Sequence, residues 1–285
     1  MTASGDNGNL VLSRRGFAIT SLAVGFAAAA GPVHAEVIHT DASGLTAGEV
    51  KVPVSGGTIP AYRAMPAKGT NFPTVLVVQE IFGVHEHIKD ICRRLAHLGY
   101  YAVAPSLYAR YGDPSKYTDI KTLLEEVVRK VPDAEVLSDL DSTVVFAGGD
   151  GADTARMGLT GYCWGGRIAW LYATHSDKLK AAAAWYGQLR GEPNALRTGF
   201  GIDLAPKLKA PVIGFYGGDD PGNPVSDVEA MRAALAKAGK RTSQVNLYMD
   251  AQHGFFADYR ASYNEKDAKD AWSKMLAFFR KNGVK

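Results

Sequence analysis

The alternation of short apolar runs with helical patterns is the feature that most constrains the fold of this chain. Stretches typical of strands cover Thr74–Glu80, Tyr100–Pro105, Arg156–Tyr162, Ala181–Gly187, Pro211–Gly217 and Gln244–Asp250. Helical patterns lie between or after them, around Cys92 and over Lys121–Lys130, Ala134–Ala147, Arg167–His175, Val225–Ala238 and Lys266–Arg280. This order predicts an α/β fold, a mostly parallel sheet with helices on both faces. The segment Glu36–Phe72 predicts an additional β region before the main sheet.

The first 35 residues have the pattern of an export signal. The pair Arg14–Arg15 precedes a run of apolar and small residues, Phe17–Ala30, and Val33 and Ala35 satisfy the small-residue rule for cleavage after Ala35. Twin arginines in this position resemble a bacterial twin-arginine signal. We therefore expect residues 1–35 to engage the twin-arginine export machinery, and residues 36–285 to form one domain that is periplasmic or secreted. The alternative is a retained single-span anchor.

Charge and cysteine content narrow the classes of function. The chain carries 32 Lys+Arg against 29 Asp+Glu, a net charge of +3, which indicates neither nucleic acid nor a stable membrane partner. The two cysteines could form one disulfide in an oxidising compartment, but Cys92 lies in a predicted helix and Cys163 in a turn, so we expect no bridge. The absence of any Cys-x-x-Cys pair argues against a thiol redox protein.

The turn "GYCWGG" has the form of a nucleophile elbow with cysteine in the serine position. Gly161 and Gly165 stand two residues before and after Cys163, where a strained backbone corner leaves no room for side chains. Cys163 would lie at a helix N-terminus, which favours a thiolate. The backbone N–H of Trp164 would face the developing oxyanion. The alternative is a small apolar residue in a glycine-rich bend.

An elbow nucleophile needs a base, and in this fold the chain order is nucleophile, acid, histidine. His253, in "DAQHGF", follows the last predicted strand and is the suitably placed histidine. Asp219 and Asp220 end the preceding strand region, and we choose Asp220 as the acid that orients the imidazole. His85 and His87 could in principle bind zinc, but no third ligand stands at metal-site spacing. We predict no metal site, and the chemistry requires no cofactor.

Longer motifs resemble the dienelactone hydrolase family: "QEIFGVHEHIKDICRRLAHLGYYAVAPSLYAR", "GYCWGG", "WYG", "GGDD" and "QHGF". The similarity extends over roughly Val50–Phe279. It implies an α/β-hydrolase fold and a Cys–His–Asp triad, here Cys163, His253 and Asp220, that opens lactones or small esters.

The resemblance also implies roles for four further residues. The backbone N–H of Ile81 would join that of Trp164 in the oxyanion hole, and Glu80 would help to deprotonate the thiol as substrate binds. Arg110 would hold a substrate carboxylate, and Tyr186 would line the pocket.

One departure from the family pattern concerns substrate. The family's second arginine stands four residues after the histidine, where this chain has Ala257, and Arg260 is out of register. We therefore predict a lactone or small-ester hydrolase whose substrate need not be a dienelactone. The alternative is a non-catalytic protein that binds small carboxylates on a hydrolase scaffold.

Overall fold

The computed structural model describes residues 38–285, so the predicted export signal lies outside the described residues. Eight strands form one sheet: β1 (Leu45–Val54), β2 (Gly57–Pro66), β3 (Phe72–Val78), β4 (Tyr101–Pro105), β5 (Ala152–Tyr162), β6 (Leu179–Trp185), β7 (Val212–Gly217) and β8 (Gln244–Tyr248). No helix within residues 38–285 has the length and apolar character needed to span a membrane.

The sheet is mixed at one side and parallel over the rest. Its spatial order is β1-β2-β4-β3-β5-β6-β7-β8; the β1–β2 and β2–β4 pairs are antiparallel, and every later pair is parallel. The predicted N-terminal β region is the β1–β2 hairpin. Because parallel strands end at one edge, the loops after β3, β5, β7 and β8 lie together there, where ligand chemistry gathers in such sheets.

The helices follow the predicted alternation. They are α1 (Glu86–His97), α2 (Ile120–Glu126), α3 (Asp133–Gly149), α4 (Trp164–His175), α5 (Gly201–Leu204), α6 (Val225–Lys237) and α7 (Glu265–Lys281). Helix α4 begins three residues earlier than its apolar pattern predicts, because the elbow itself starts the helix. Helix α2 ends at Glu126 and a short 3₁₀ turn, Val128–Lys130, follows it. The mostly parallel α/β prediction is confirmed, with boundaries that differ by a few residues.

Both cysteines are buried and free of disulfides, as expected. Cys92 is fully buried on α1 against the sheet, and its burial raises the pKa of its thiol well above the ordinary value. A buried neutral thiol behaves as a small apolar side chain. Cys163, in contrast, lies at the turn between β5 and α4.

Candidate active site

The backbone at Cys163 adopts the strained corner that the elbow pattern predicts. Its φ is 55° and its ψ −112°, a positive φ that non-glycine residues rarely adopt. The Cys163 N–H donates to the Trp185 carbonyl at 3.0 Å, and the Cys163 carbonyl accepts from Gly166 at 3.0 Å. Neighbouring strand β6 and the first turn of α4 therefore hold the corner from both sides. Strain maintained in this way is typical of functional positions.

The glycines around the elbow are required by close backbone contacts. A Cβ on Gly161 would collide with the Gly165 carbonyl, and a Cβ on Gly165 would collide with the carbonyls of Val78 and Gln79. Gly161 lies opposite Val78 in the β3–β5 register. The helix start is thus packed against the carboxyl end of β3. This brings the segment containing Glu80 and Ile81 to the thiol side of the sheet.

Asp220 and His253 meet after β7 and β8. His253 Nδ1 lies 2.8 Å from Asp220 Oδ2, and both side chains are almost fully buried. The same carboxylate accepts from the Gly222 N–H at 2.8 Å and from the Asn223 amide at 3.1 Å. Asp219 is exposed, and its N–H donates to a loop carbonyl. Of the two aspartates that the sequence offered, Asp220 is therefore the one that contacts the histidine.

The electrostatics of this pair favour an imidazolium. Burial by itself would lower the pKa of His253, but the Asp220 carboxylate, the negative charge of Cys163 and hydrogen bonds to both raise it to about 10. In turn, although burial would raise the pKa of Asp220, the facing imidazolium and the hydrogen bonds from Asn223 and Gly222 hold it below its ordinary value. The structure thus pairs His253 with Asp220 and brings Cys163 close enough for its charge to act on the same imidazole.

Glu80 belongs to a second buried cluster. Its carboxylate accepts from the hydroxyl of Tyr259, from Arg260 Nη2 at 3.2 Å, and from His85 Nε2 at 3.1 Å. Burial would raise the pKa of Glu80, but the charge of Arg260 and the His85 hydrogen bond hold it well below the usual range. Glu80 is therefore a carboxylate with three partners. The proton transfer from the thiol that the resemblance implies stays a prediction.

Arg260 is a site residue that the sequence did not identify. Its guanidinium is buried, pairs with Glu80, and lies 5.4 Å from the ring centroid of Phe82. Two successive turns, from Gly254 to Ala257 and from Ala257 to Arg260, fold the chain back on itself. As a result Arg260, which is seven residues after His253 in the chain, lies close enough to Cys163 for the two charges to interact. The spacing of four in the family pattern gave no signal for this position.

Of the two remaining predicted residues, Tyr186 lies beside His253, and Arg110 is paired with carboxylates of α3. Tyr186 is fully buried with a φ of 39°, and its ring centroid lies 5.0 Å from that of His253. Arg110 makes a bidentate pair with Asp139 at 2.7 and 2.9 Å and a further ion pair with Glu135 at 3.1 Å. Two carboxylates of α3 thus already neutralise Arg110. Its role as a substrate anchor stays a prediction.

The two histidines considered for zinc are engaged elsewhere. His85 contacts Glu80, and His87 Nδ1 lies 3.1 Å from Asp258 Oδ1. Within residues 38–285, no group of three or more His, Cys, Asp or Glu side chains is arranged to hold a metal ion.

Comparison with known proteins places this geometry in a family. The model of the dienelactone hydrolase family matches residues 59–283. The chain is 58% identical over 275 residues to a "Putative carboxymethylenebutenolidase" of Methylorubrum extorquens, covering 96% of this chain and 94% of that protein. Identity to a protein of the same name in Escherichia coli is 48% over 262 residues, covering 92% of this chain and 96% of that protein.

A solved structure has the same fold. The crystal structure of a "Putative Dienelactone Hydrolase" from Klebsiella pneumoniae is 52% identical, with a TM-score of 0.81, and the match covers 83% of this chain and 99% of that one. The resemblance read from the motifs is thereby confirmed. The chain has an α/β-hydrolase fold and belongs to the dienelactone hydrolase family of carboxylic ester hydrolases.

Proposed function

We propose that this protein hydrolyses a lactone or a small carboxylic ester through a triad of Cys163, His253 and Asp220. The observation that carries the proposal is the chain of contacts at the sheet edge. Asp220 Oδ2 lies 2.8 Å from His253 Nδ1, and Cys163, held at the strained elbow, is close enough for its charge to act on the same imidazole. This arrangement supports a nucleophile at Cys163, a base at His253 and an orienting carboxylate at Asp220, the three roles that covalent catalysis requires.

In the first half-reaction, Cys163 Sγ attacks the substrate carbonyl carbon and its proton resides on His253. The carbonyl π pair moves to oxygen to form the tetrahedral oxyanion. Collapse of the oxyanion breaks the carbon–oxygen bond of the ester or lactone ring, and His253 gives its proton to the departing alkoxide. The product of this step is an alcohol and a thioester on Cys163.

In the second half-reaction, His253 removes a proton from water, and the resulting hydroxide adds to the thioester carbonyl. The second tetrahedral intermediate expels the Cys163 thiolate and releases the carboxylic acid. Asp220 remains ionised throughout and stabilises the imidazolium each time it forms. No oxidant, reductant or additional reactant besides water is consumed.

The oxyanion is proposed to bind two backbone N–H groups, those of Ile81 and Trp164. Trp164 is the first residue of α4, so its N–H has no acceptor within the helix. Ile81 follows β3, which packs directly against the start of α4. Donors fixed by the backbone cost no reorganisation when charge develops. Tyr186 is proposed to form the adjoining wall of the pocket, beside His253.

The test is turnover of 4-nitrophenyl acetate and of the lactone dihydrocoumarin by wild type, Cys163→Ala and the matched control Cys92→Ala. Loss of the nucleophile should reduce kcat by at least about 10³-fold while the circular dichroism spectrum is retained. The Cys92 variant should keep wild-type turnover. Full activity of the Cys163→Ala protein would contradict the proposal. If wild type is inactive and Cys163 resists iodoacetamide at pH 7, the carboxylate-binding alternative is favoured.

We also propose that residues 1–35 direct export through the twin-arginine machinery and are removed after Ala35. The support is the sequence pattern alone, Arg14–Arg15 followed by the apolar run and the small-residue site. Expression in a bacterium should yield a periplasmic protein whose first residue is Glu36. Replacing both arginines by lysine (Arg14→Lys, Arg15→Lys) should block this export. A full-length N-terminus on the exported protein would instead support a retained anchor.

A further inference from the structure

Asn223 lies in the loop between β7 and α6, three residues after the aspartate of the proposed triad. Its side chain is fully buried, and both ends of its amide are hydrogen-bonded. Nδ2 donates to Asp220 Oδ2 at 3.1 Å, and Oδ1 accepts from the Leu189 N–H at 3.0 Å. An amide bound in this way keeps one orientation, because turning it over would set donor against donor and acceptor against acceptor.

The same side chain binds the segment that follows the neighbouring strand β6. Nδ2 also donates to the Tyr186 carbonyl at 3.4 Å, and Tyr186 is the residue whose ring contacts His253 edge-on. The Asn223 N–H donates to the Asp220 carbonyl at 3.1 Å, which closes the turn between these two residues. Asn223 therefore joins the loop that carries the acid to the segment that forms the proposed pocket wall.

The contact with Asp220 is made to the carboxylate oxygen that faces the histidine. Oδ2 lies 2.8 Å from His253 Nδ1 and also accepts from Asn223, whereas Oδ1 accepts from the Gly222 N–H at 2.8 Å. Asn223 and His253 therefore share one oxygen of Asp220. A neutral donor on that oxygen stabilises part of its negative charge, so that less of the charge is left to attract the imidazolium.

The other ionisable groups around this pair come from several segments of the fold: Tyr216 on β7, Cys163 at the elbow, Tyr186 after β6, and Arg260, packed against Gly254, with its partner Glu80. Burial raises the pKa of both tyrosines well above the ordinary value, so these two groups are neutral. Arg260 and Glu80 keep opposite charges near neutral pH. A substitution at Asn223 changes none of these groups, so its effect on His253 reports on Asp220.

We propose that Asn223 is a positioning residue that acts through Asp220: it fixes the carboxylate toward His253 and limits how strongly that carboxylate holds a proton on the imidazole. The inference rests on the proposed hydrolase function. Acylation removes the charge of Cys163, so in the second half-reaction the imidazole is held mainly by Asp220. His253 must then be neutral before it can take a proton from water, and an imidazole that held its proton too strongly would slow this step.

The first test is an NMR titration of the His253 ring nitrogens in Cys163→Ala, with and without Asn223→Leu. The His253 signal is identified by its loss in His253→Gln. Without the amide donor on Asp220, the midpoint should rise by about 0.5 to 1 pH unit. Asn246→Leu is the matched control, because the Asn246 amide donates to the Gly214 carbonyl at 3.3 Å on the neighbouring strand, and it should leave the midpoint unchanged. A midpoint in Asn223→Leu that is unchanged or lower, or an equal rise in the control, overturns the inference.

The second test is kcat for 4-nitrophenyl acetate as a function of pH, with Cys163 intact. In Asn223→Leu, kcat at pH 7 should fall about 3- to 10-fold and approach the wild-type value as the pH rises. A loss by the same factor at every pH would show a merely structural role and overturns the inference. If Asn223→Leu does not fold, Asn223→Ala removes the same donor with less bulk and serves in both tests. The titration requires no turnover, so it decides the role of Asn223 even if the hydrolase proposal fails.

Discussion

Two buried carboxylates lie near the sheet edge where the strands end, and their partners differ in kind. Asp220 faces His253, whose imidazole can give up and regain a proton. Glu80 faces Arg260, which stays charged under all ordinary conditions, together with Tyr259 and His85. Both carboxylates have pKa values below their ordinary range, although burial alone would raise them.

Equal burial and equal charge therefore do not imply equal roles. The Asp220 region holds an imidazole that can gain or lose a proton. The Glu80 region holds the ion pair between Glu80 and Arg260, and neither partner changes its charge near neutral pH. We therefore expect acid–base catalysis on the Asp220 side, and positioning of the Ile81 segment and of the local field on the Glu80 side.

The largest expected difference between the regions is in rate. His253→Gln removes the base and should lower kcat/KM by about 10³- to 10⁴-fold for an activated ester. Glu80→Gln keeps the shape of the side chain and should cost less than His253→Gln. An equal loss in the two variants would contradict this division of roles, because it would mean that Glu80 takes part in proton transfer from the thiol, as the family resemblance implies.

The next effect is on stability, where the substitution at Glu80 should cost more than the substitution at His253. Glu80→Gln leaves the Arg260 charge buried without its counter-charge, and should lower the free energy of unfolding by about 3–5 kcal/mol. In Glu80→Gln/Arg260→Met the combined loss should be clearly smaller than the sum of the single losses. Urea denaturation of the four proteins completes the cycle. Simple additivity would show that the two charges act independently.

A smaller effect is that the two regions should contribute to stability over different ranges of pH. Glu80 has a pKa below its ordinary value of 4.5, so its contribution to stability is present above that pH and is lost as pH falls. The pKa of His253 is raised from 6.5 to about 10, so its contribution is present below 6.5 and is lost as pH rises through 10.

The measurement is unfolding free energy against pH for wild type and two variants. Glu80→Gln should flatten the acid branch of the curve, and His253→Gln should flatten the branch between pH 6.5 and 10. If both branches keep their wild-type slope in the corresponding variant, these groups do not titrate as assigned.

Local signals in the sequence were sufficient to predict the strained corner at Cys163 and the contact of His253 with an aspartate. Gly161 and Gly165 bracket Cys163 within five residues, and the steric conflict that they relieve involves their immediate neighbours. The choice between Asp219 and Asp220 was harder. Both follow the same strand, and what distinguishes them is which carboxylate the loop turns inward, through hydrogen bonds from Gly222 and Asn223.

Long-range pairing accounts for what the sequence could not provide. Arg260 reaches Glu80, 180 positions away in the chain, through two turns that shift its register. Arg110 lies at the end of a motif typical of the family. Its ion-pair partners Asp139 and Glu135 are on α3, and the contact with them depends on packing between segments that are distant in the chain.

In the proposed mechanism, the Cys163 sulfur forms a covalent acyl intermediate with assistance from His253. The most direct measurement is mass spectrometry of the intact and digested protein after rapid quenching in acid during turnover of 4-nitrophenyl acetate. We predict one added acetyl group, located on Cys163 and absent from Cys92, with slower appearance in His253→Gln. Turnover without any acyl group on Cys163, or with the group on another residue, would contradict the mechanism.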